Sequence, residues 1–435
     1  MKVAIIGAGW AGCAAAVEAT RRGHHVTIFE AGRTAGGRAR RVELMLAGQA
    51  QALDNGQHIL IGAYSESLKL MADVGVDVSA GLLRLPLTMQ FPDGSGLRLP
   101  RLPAPLDALA GILGTRGWSW HDKFSLLKVC FGWQLRRFEC APQLSVSDLC
   151  SGLPATVMHT LIEPLCVSAL NTPPERASGQ VFLRVMRDAL FAGNGASNLL
   201  LPRIDLSALM PDAALAWLQR HGGEVRLGAR VQAITRADKH WMLAGEADTF
   251  GAFDSVVLAC PSTDAARLVQ ANGLPCEPWL TQTRGLQHEP IATVYALAPG
   301  ARLSQPMLAL RPGKGHPAQF VFDRGQLGGA PGLLAFVVSI SEGDSATLGS
   351  QVQAQAAAQL GLSGLQLLQT IVEKRATFAC SPGLQRPGLH IAPGLLACGD
   401  YIDGPYPATL EGAVRSGLEA ARALPDPAPK SLSIQ

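Results

Sequence analysis

An apolar run opens the chain and is followed at once by three glycines. Residues 3–6 form a short β-rich run, and the glycines at positions 7, 9 and 12 lead into an alanine-rich stretch that reaches Arg22. Gly23 is suited to end a helix, because glycine tolerates the left-handed conformation of a helix C-terminus. A second apolar run covers residues 25–29 and ends at Glu30. The pattern predicts a strand, a glycine turn, a helix and a second strand.

The rest of the chain alternates less regularly between helical and strand patterns. Apolar spacing predicts a β-hairpin over residues 85–99 and helices over 103–137, after Pro154, over 180–190 and over 411–424. Strand patterns occur at residues 224–227, 231–235, 255–259, 333–340 and 394–398. Strands like those of the opening recur in the middle and at the end. One domain is therefore expected to be discontinuous, with a second built from the insertions.

Composition constrains where the apolar residues go. Apolar residues make up 48% of the chain and charged residues 16%, below the roughly 25% charged residues of ordinary soluble domains. The surplus apolar side chains are expected to line a large cavity or to meet a membrane surface. No run reaches the roughly 18 apolar residues of a spanning helix, so we expect surface attachment at most.

Charge and cysteine content exclude several classes of function. The net charge is +3 without a lysine- and arginine-rich run, so nucleic acid is not an expected partner. The nine cysteines are odd in number and lack a Cys-x-x-Cys pair, which predicts neither a disulfide framework nor a metal site. The opening apolar run holds glycines at fixed spacing, so we interpret it as structure and not as a signal peptide. A reducing, cytoplasmic setting is expected.

The opening glycines predict a phosphate-binding turn. Gly7 permits the tight turn, Gly9 lets backbone approach a diphosphate, and Gly12 allows close packing of helix on strand. Trp10 and Ala11 begin the helix, whose free N–H groups and positive dipole end would face the phosphates.

Residues after the second strand extend this site. Glu30, with Ala31 beside it, is placed to accept hydrogen bonds from the ribose of a dinucleotide. Gly36, Gly37 and Arg38 offer a second close backbone approach and a guanidinium for the diphosphate, the alternative being a surface loop with a solvated arginine. The extended pattern resembles the fingerprint of the amine oxidase and phytoene desaturase superfamily of flavoenzymes. This resemblance implies FAD as a non-covalently bound cofactor.

The resemblance also implies the fold class. We expect an α/β fold with α+β insertions, in an amine-oxidase-like arrangement. A discontinuous Rossmann-like FAD-binding domain is expected over residues 1–85, 200–270 and 385–424, with an inserted substrate-binding domain over 86–199 and 271–384. The proline-containing tail, residues 425–435, is expected to be disordered.

The C-terminal segment carries further matches to the superfamily. Gly399 and Asp400 resemble the end of its late strand, whose aspartate binds the ribityl or diphosphate part of FAD. Thr409 and Leu410 open the last helix, which in such proteins points its N-terminus at the flavin ring. Val231 resembles the position whose backbone contacts the adenine region, although any strand could contain such a valine.

Residues 54–64, which begin Asp-Asn-Gly-Gln-His, bear most on the reaction. Together with the fingerprint and the C-terminal segment they resemble the hydroxysqualene dehydroxylases, also called squalene-associated FAD-dependent desaturases. The resemblance covers nearly the whole chain. It implies removal of an allylic hydroxyl from a long-chain isoprenoid alcohol by reduced FAD, in squalene and hopanoid biosynthesis beside upstream prenyltransferases.

Losing hydroxide from an allylic carbon requires a proton donor in an otherwise apolar site. His58 is the first candidate for the acid and Asp54 for the residue that orients it, with Tyr64 and Tyr406 as reserves. His58 and Gln57 are also expected to contact the flavin. The alternatives are a structural hydrogen bond for His58 and a turn-forming role for Asp54.

An aromatic and basic stretch over residues 118–133 has two interpretations. The first is a membrane-facing helix, with Trp118, Trp120 and Trp133 at the interface and nearby lysines and arginines toward lipid headgroups, on the inner face of the cytoplasmic membrane. The second is ordinary packing of these aromatic side chains in the core.

Three other functions remain open from the sequence. A carotenoid-type desaturase would share the fold, the flavin and an apolar substrate, but it would oxidise that substrate. An amine oxidase would place the amine between aromatic rings, and the corresponding positions, Tyr406 and Thr409, supply half of such a cage. A non-catalytic flavin-binding scaffold would leave the redox state of the flavin unchanged when substrate is added.

Overall fold

The computed structural model describes residues 1–46, 48–191, 193–246, 248–271, 273 and 275–426. Within these residues a six-stranded sheet, called the central sheet, holds the opening strand near its middle. Neighbouring strands run parallel except for the last pair, which is antiparallel. In spatial order the strands are Glu224–Leu227, His25–Glu30, Lys2–Ile6, Ser255–Leu258, Leu395–Ala397 and His390–Ala392.

The central sheet draws its strands from the beginning, the middle and the end of the chain. Val3, Ala4 and Ile5 are fully buried, which explains why a strand covered on both faces has an unbroken apolar sequence. The predicted strands at 3–6, 25–29, 224–227, 255–259 and 394–398 are confirmed to within one residue at each end. The division into domains stays a prediction.

A second, antiparallel sheet of five strands is called the second sheet. Its strands in spatial order are Met307–Ala309, Phe320–Asp323, Leu333–Ser339, His288–Leu297 and Gln366–Phe378. Val321, Phe336 and Val338 pack on one face of this sheet against the helix Ser345–Leu360. The buried strand predicted over 333–340 is confirmed.

The remaining strands form smaller antiparallel pairings. These are Arg41–Leu46 with Gln49–Asp54, Leu60–Ile61 and Leu82–Leu85 on either side of Leu199–Pro202, Thr88–Gln90 with Gly96–Arg98, and Ala233–Ala237 and Thr249–Phe253 on either side of His240–Ala244. The hairpin predicted over 85–99 is confirmed with shorter strands. The strand predicted at 231–235 starts at Ala233, and it belongs to a separate sheet because its partner is the following hairpin strand.

The helices lie around and between these sheets. The α-helices are Trp10–Arg21, Ser65–Asp73, Val78–Gly81, Leu106–Gly114, Trp120–Leu135, Val146–Leu149, Ala155–Val157, Glu163–Leu170, Gly179–Phe191, Leu206–Leu209, Pro211–Arg220, Ser262–Gln270, Glu277–Arg284, Ser345–Leu360 and Leu410–Arg422, with a π-helix at Met158–Ile162 and a 3₁₀-helix at Arg324–Gln326. No helix in the described ranges combines the length and apolarity needed to cross a membrane.

Two sequence predictions need comment. The helical stretch predicted over 103–137 is two helices, because Gly117 has a φ of +84° and Ser119 then caps the second helix. Of the tail predicted as disordered, residues 427–435 lie outside the described part of the chain.

The first and last long helices pack directly against each other. A Cβ added at Gly417 would lie 2.1 Å from the carbonyl oxygen of Ala11, so only glycine allows this approach. The contact brings the N-terminal ends of Trp10–Arg21 and Leu410–Arg422 to the same side of the central sheet.

Candidate active site

A cavity of about 620 Å³ lies between the carboxyl ends of central-sheet strands and one face of the second sheet. Most residues predicted for the site line it: Gly7, Gly9, Trp10, Ala11, Glu30, Ala31, Gly36, Gly37, Arg38, Gln57, His58, Tyr64, Val231, Gly399, Asp400, Thr409 and Leu410. Gly12, Asp54 and Tyr406 are not part of the wall.

The glycine turn requires glycine at two of its three positions. Gly7 has a φ of +112°, and a Cβ there would lie 2.6 Å from the carbonyl oxygen of Ala259. A Cβ at Gly12 would lie 1.9 Å from the carbonyl oxygen of Gly7. These close approaches let the helix start directly above the strand, so its first N–H groups face the cavity.

The two glycine segments form one wall. The Gly36 N–H donates to the carbonyl of Ala8 over 2.8 Å, and a Cβ at Gly37 would lie 3.4 Å from the Cα of Gly9. Backbone is therefore exposed to the cavity from both segments, which suits a bound diphosphate.

Arg38 supplies a fixed positive charge to this wall. Its guanidinium pairs with the carboxylate of Asp400 over 2.5 Å and donates to the carbonyl of Ala376 over 2.6 Å. Burial acts to lower the pKa of Arg38, but the Asp400 carboxylate outweighs burial and raises that pKa. Arg38 and Asp400, predicted from segments more than 350 residues apart, are in direct contact.

Glu30 holds the turns on both sides of it. One carboxylate oxygen accepts the N–H of Ala8 over 2.9 Å, and the other accepts the N–H of Gly32 over 2.8 Å. Each oxygen has a further lone pair available, and Glu30 lines the cavity, so a ribose hydroxyl could still donate to it.

The sequence prediction missed many residues of the cavity wall, and three of them bear on its chemistry. Arg375 and His288 enter the wall from the second sheet, and Tyr401 follows directly after Asp400. Burial and the charges of Arg38 and Arg375 lower the pKa of His288, so its ring is neutral. The buried hydroxyl of Tyr401 has no hydrogen-bond partner within the described ranges, which leaves it free to bind a group in the cavity. Only Tyr401, beside a predicted motif, carried a sequence signal.

The last helix also presents its N-terminus to the cavity. Thr409 caps it by accepting the N–H of Gly412 over 3.1 Å, and Thr409, Leu410 and Ala413 line the wall. Two positive helix ends therefore face one cavity, an arrangement that favours anionic ligand groups.

His58 presents one ring nitrogen for chemistry. Its Nδ1 lies 2.9 Å from the carbonyl oxygen of Gly56, which can only accept, so Nδ1 carries a hydrogen. Burial is the main cause that lowers the pKa of His58, with a smaller contribution from Arg38, and the resting ring is neutral. Nε2 is then the position at which a proton would be taken up or given away.

The predicted pairing of Asp54 with His58 does not occur. Asp54 ends a strand and is buried, and its carboxylate accepts the N–H of Leu206 over 2.8 Å. The hydroxyl of Tyr295 donates to the backbone carbonyl of Asp54. The same hydroxyl accepts a hydrogen bond from the side-chain amide of Gln57 over 2.7 Å. Asp54 thus holds the backbone behind the cavity, and it does not orient His58.

Asp54 makes a testable contribution to stability. Burial raises its pKa to about 6, so folding is penalised once the carboxyl ionises. Because the folded pKa exceeds the unfolded value near 3.9, this group favours the folded state at low pH and loses that effect as pH rises through 6. We compare the free energy of unfolding of Asp54→Asn with that of the wild type at each pH. The difference, variant minus wild type, is expected to be about 1 kcal/mol more positive at pH 8 than at pH 5, because only the wild type has a carboxyl that ionises. Denaturant titrations at the two pH values measure it.

The exposed carboxylate Glu139 supplies the control for this prediction. Glu139→Gln should follow the pH dependence of the wild type. A difference between Asp54→Asn and wild type that is the same at both pH values would contradict the assigned effect.

The two reserve tyrosines occupy different surroundings. Tyr64 lines the cavity, and burial raises its pKa, so it is a protonated donor. Tyr406 lies off the wall: its hydroxyl donates to Asp188 over 3.0 Å, and the guanidinium carbons of Arg184 and Arg415 lie 5.2 and 5.3 Å from its ring centroid. A ring already flanked by two cations is unsuited to hold a cationic amine.

One end of the cavity is apolar. Its walls there come from the helix Glu163–Leu170 and from the second sheet. The apolar side chains are Val167, Ala169, Ile291, Phe320, Phe322 and Val337. The cavity thus joins a polar, glycine-lined end to an end suited to hydrocarbon.

Comparison with known proteins decides the family. The model of the flavin-containing amine oxidoreductase family matches residues 10–425. The chain belongs to this family. As a flavin-containing amine oxidoreductase by family, it is a flavin-dependent oxidoreductase, and its glycine turns, Arg38 and two helix N-termini fit the phosphate part of such a cofactor.

Relatives and a solved structure agree with this family. Hydroxysqualene dehydroxylase from Rhodopseudomonas palustris is 31% identical, over 96% of this chain and 97% of the relative. Hydroxysqualene dehydroxylase from Sinorhizobium fredii is 28% identical over the same shares. Cyclohexylamine oxidase from Brevibacterium oxydans has a TM-score of 0.65 at 16% identity, covering 97% of this chain and 98% of that one, and so shares the fold. The resemblance seen in the motifs and the amine-oxidase-like fold class are confirmed.

Proposed function

We propose that this flavin oxidoreductase reduces hydroxysqualene to squalene with FAD bound without a covalent link. The observation that carries the proposal is one cavity with a cationic, glycine-lined end, an apolar end and a titratable His58 on its wall. Relatives named hydroxysqualene dehydroxylase, aligned over 96% of the chain, support the choice of substrate.

FAD, and not a mononucleotide, is proposed because the polar wall includes Glu30 as well as Thr409. Glu30 and Ala31 would hold the adenosine ribose, Val231 the adenine region, and Arg38 with the two glycine segments the diphosphate. Gln57, Asp400, Thr409 and Leu410 would hold the remainder. When bound and reduced, FAD supplies the hydride that replaces the hydroxyl.

His58 is proposed to provide the proton. Its Nδ1–H stays on Gly56, which fixes the ring, and a proton on Nε2 is given to the leaving hydroxyl so that water departs. The apolar walls exclude bulk water from the carbon centre and match a hydrocarbon chain. Tyr64, protonated and on the wall, is the reserve donor.

A non-covalent link is expected from the cysteine chemistry. Cys260 lines the cavity, and burial raises its pKa to about 12, so its nucleophilic thiolate is not populated at neutral pH. Acid precipitation of the flavin-loaded protein should therefore leave all of the flavin in the supernatant as FAD, as identified by mass spectrometry. Flavin retained in the protein pellet, or released as FMN, would contradict this expectation.

The flanking of Tyr406 by Arg184 and Arg415 argues against amine oxidation. Carotenoid-type desaturation remains the second candidate, because the same apolar end would accept its substrate. The two differ in the direction of electron flow: desaturation takes a hydride from the substrate and dehydroxylation gives one.

A water-insoluble substrate would have to reach the cavity from a lipid phase. We therefore propose that the protein contacts the cytoplasmic face of the membrane peripherally. We also propose that upstream prenyltransferases supply the alcohol. The two-domain division predicted from the sequence is retained as a proposal, with substrate between the two sheets.

Anaerobic turnover tests the proposal. The photoreduced protein is mixed with detergent-dispersed hydroxysqualene, and both the visible flavin spectrum and the lipid extract are followed. Reoxidation of the flavin with one squalene formed per flavin is expected. No reoxidation, together with bleaching of the oxidised protein by a carotenoid precursor, would favour the desaturase. An unchanged spectrum with every substrate would favour a scaffold.

A further inference from the structure

Exposed apolar side chains concentrate in one short part of the chain. Seven of the twelve exposed large apolar side chains among the described residues lie between positions 102 and 135. They are Leu102, Leu106, Leu109, Trp120, Phe124, Phe131 and Leu135. We call these seven residues the apolar patch. Clusters of this kind on a folded protein mark contact with another phase or molecule.

Four members of the apolar patch form a stripe along the helix Trp120–Leu135. At about 100° per residue, positions 120, 124, 131 and 135 fall within a sector of about 60°. Trp120, Phe124, Phe131 and Leu135 are 64%, 61%, 62% and 69% exposed. Leu126 and Trp133 lie on roughly the opposite side and are buried, so the helix is apolar on two faces and only one is used in the fold.

The surroundings of the stripe are positively charged. Residues 101–137 contain six basic side chains, namely Arg101, Arg116, Lys123, Lys128, Arg136 and Arg137. The same segment contains two acidic residues, Asp107 and Asp122, and both are buried. Lys123 and Lys128 flank the stripe on either side, and the exposed Arg136 follows it. This pattern complements an anionic surface.

The stripe is held rigidly. Ser119 and Asp122 form a capping box that starts the helix, and the ammonium of Lys123 donates to the carbonyl of Leu113 over 2.7 Å, which ties it to the preceding helix. On the buried side the Trp133 ring meets Phe182 edge to face. The exposed aromatic side chains therefore project from a fixed platform and do not need to fold on contact.

We propose that the apolar patch inserts into the headgroup region of an anionic lipid bilayer. Trp120, Phe124, Phe131 and Leu135 enter the boundary between headgroups and acyl chains, while Lys128 and Arg136 bind lipid phosphates. The proposal rests on the proposed function for its purpose, since a membrane-dissolved alcohol would be taken up there. The choice of an anionic bilayer as the partner follows from the positive charge and the exposure of these side chains.

Vesicle sedimentation tests this surface on the full flavin-loaded chain. We expect binding to vesicles of phosphatidylcholine with phosphatidylglycerol, and at least about tenfold weaker binding to phosphatidylcholine alone or at high salt. Phe131→Ser should lower the partition coefficient about tenfold, because the variant loses the free energy gained when the Phe131 ring moves from water into the bilayer. Met45→Ser, at a side chain 65% exposed in a different ribbon, is the matched control and should bind as the wild type does.

Two further variants separate the apolar and charged parts. The double variant Lys128→Gln with Arg136→Gln should lose most of the preference for phosphatidylglycerol. Brominated lipids should quench tryptophan fluorescence of the wild type, and Trp120→Phe should lose most of that quenching.

Specific outcomes would overturn the proposal. These are absence of vesicle binding by the wild type, equal losses in Phe131→Ser and Met45→Ser, or a dimer in solution that Phe131→Ser disperses, which would assign the patch to a second copy of the chain. Turnover of detergent-dispersed substrate does not require a bilayer, so failure of that reaction would refute the proposed function and leave the vesicle result standing.

Discussion

Replacing His58 by alanine is expected to slow single-turnover reduction of hydroxysqualene about a hundredfold or more while the protein keeps its flavin. Positioned general acids typically contribute 10²- to 10⁴-fold. The reserve donor Tyr64 is a much weaker acid, because burial raises its pKa further above the ordinary value, so it would not replace His58. Anaerobic stopped-flow of the photoreduced protein measures the rate, and the flavin spectrum before mixing measures occupancy.

The role assigned to His58 also predicts the direction in which the reaction rate changes with pH. The protonated form of His58 gives up the proton, and burial lowers its pKa from the ordinary value near 6.5. The rate should therefore rise as pH falls and level off only below that value. A rate that is unchanged from pH 5 to pH 8 in the wild type would remove His58 from the proton transfer.

Two matched variants distinguish proton donation from a structural role. His58→Asn places an amide nitrogen close to the position of Nδ1 and can keep the hydrogen bond to Gly56, so it restores activity only if that bond is the whole role. His288→Asn changes the other cavity histidine whose pKa is lowered, and the flavin-loaded variant should keep the pH profile of the wild type. Full activity in His58→Asn would assign the residue to structure alone.

The residues predicted for the polar end of the cavity line one wall, because most of them are contiguous in the chain. The glycine turn, Glu30 and the second glycine pair follow one another within 38 residues, and each has a backbone geometry that only certain residues allow. Arg38 and Asp400 could be named from their motifs, although their direct pairing depends on the place of Leu395–Ala397 in the central sheet, next to Ser255–Leu258 and two strands from Lys2–Ile6.

The other end depends on packing that no local pattern encodes. Arg375 and His288 reach the cavity because the strand His288–Leu297 begins there and its partner Gln366–Phe378 ends beside it. Each residue by itself looks like an ordinary surface position. Asp54 lies four residues before His58, yet its position at the end of a strand turns its carboxylate toward Leu206. Closeness in sequence gave the wrong pairing.

The helix Trp120–Leu135 shows a third reason why sequence alone does not determine the site. Trp118 and Trp133, predicted at the interface, are buried; Trp118 donates to Thr160, and Trp133 packs in the core. Trp120 is exposed as predicted. A helix with apolar residues around most of its circumference does not show by spacing which face the fold uses. Only the three-dimensional packing separates the buried face from the exposed stripe.

Replacing Glu30 by alanine is expected to weaken FAD binding about a hundredfold. The carboxylate accepts two backbone N–H groups, and hydrogen bonds to a charged group contribute about 1.5–3 kcal/mol each. These two bonds shape the turn in the free protein, so their loss weakens FAD binding by loosening the turn, whereas loss of the ribose hydrogen bond weakens it directly. Together the two effects are expected to reach the roughly 2.8 kcal/mol that corresponds to a hundredfold change in affinity. Flavin fluorescence titration of the deflavinated protein measures the dissociation constant.

Comparison of two flavins separates the ribose contact from the turn. FMN lacks the adenosine ribose, so Glu30→Ala should affect FAD binding more than FMN binding. ADP carries the same ribose as FAD, so its affinity should fall in the variant by about the same factor as that of FAD. Glu224→Ala, on the neighbouring strand and exposed, is the control and should keep wild-type occupancy, since it contacts Thr27 and Arg226 and does not line the cavity. Equal weakening for FAD and FMN would assign Glu30 to the turn alone, and full FAD occupancy in Glu30→Ala would contradict both roles.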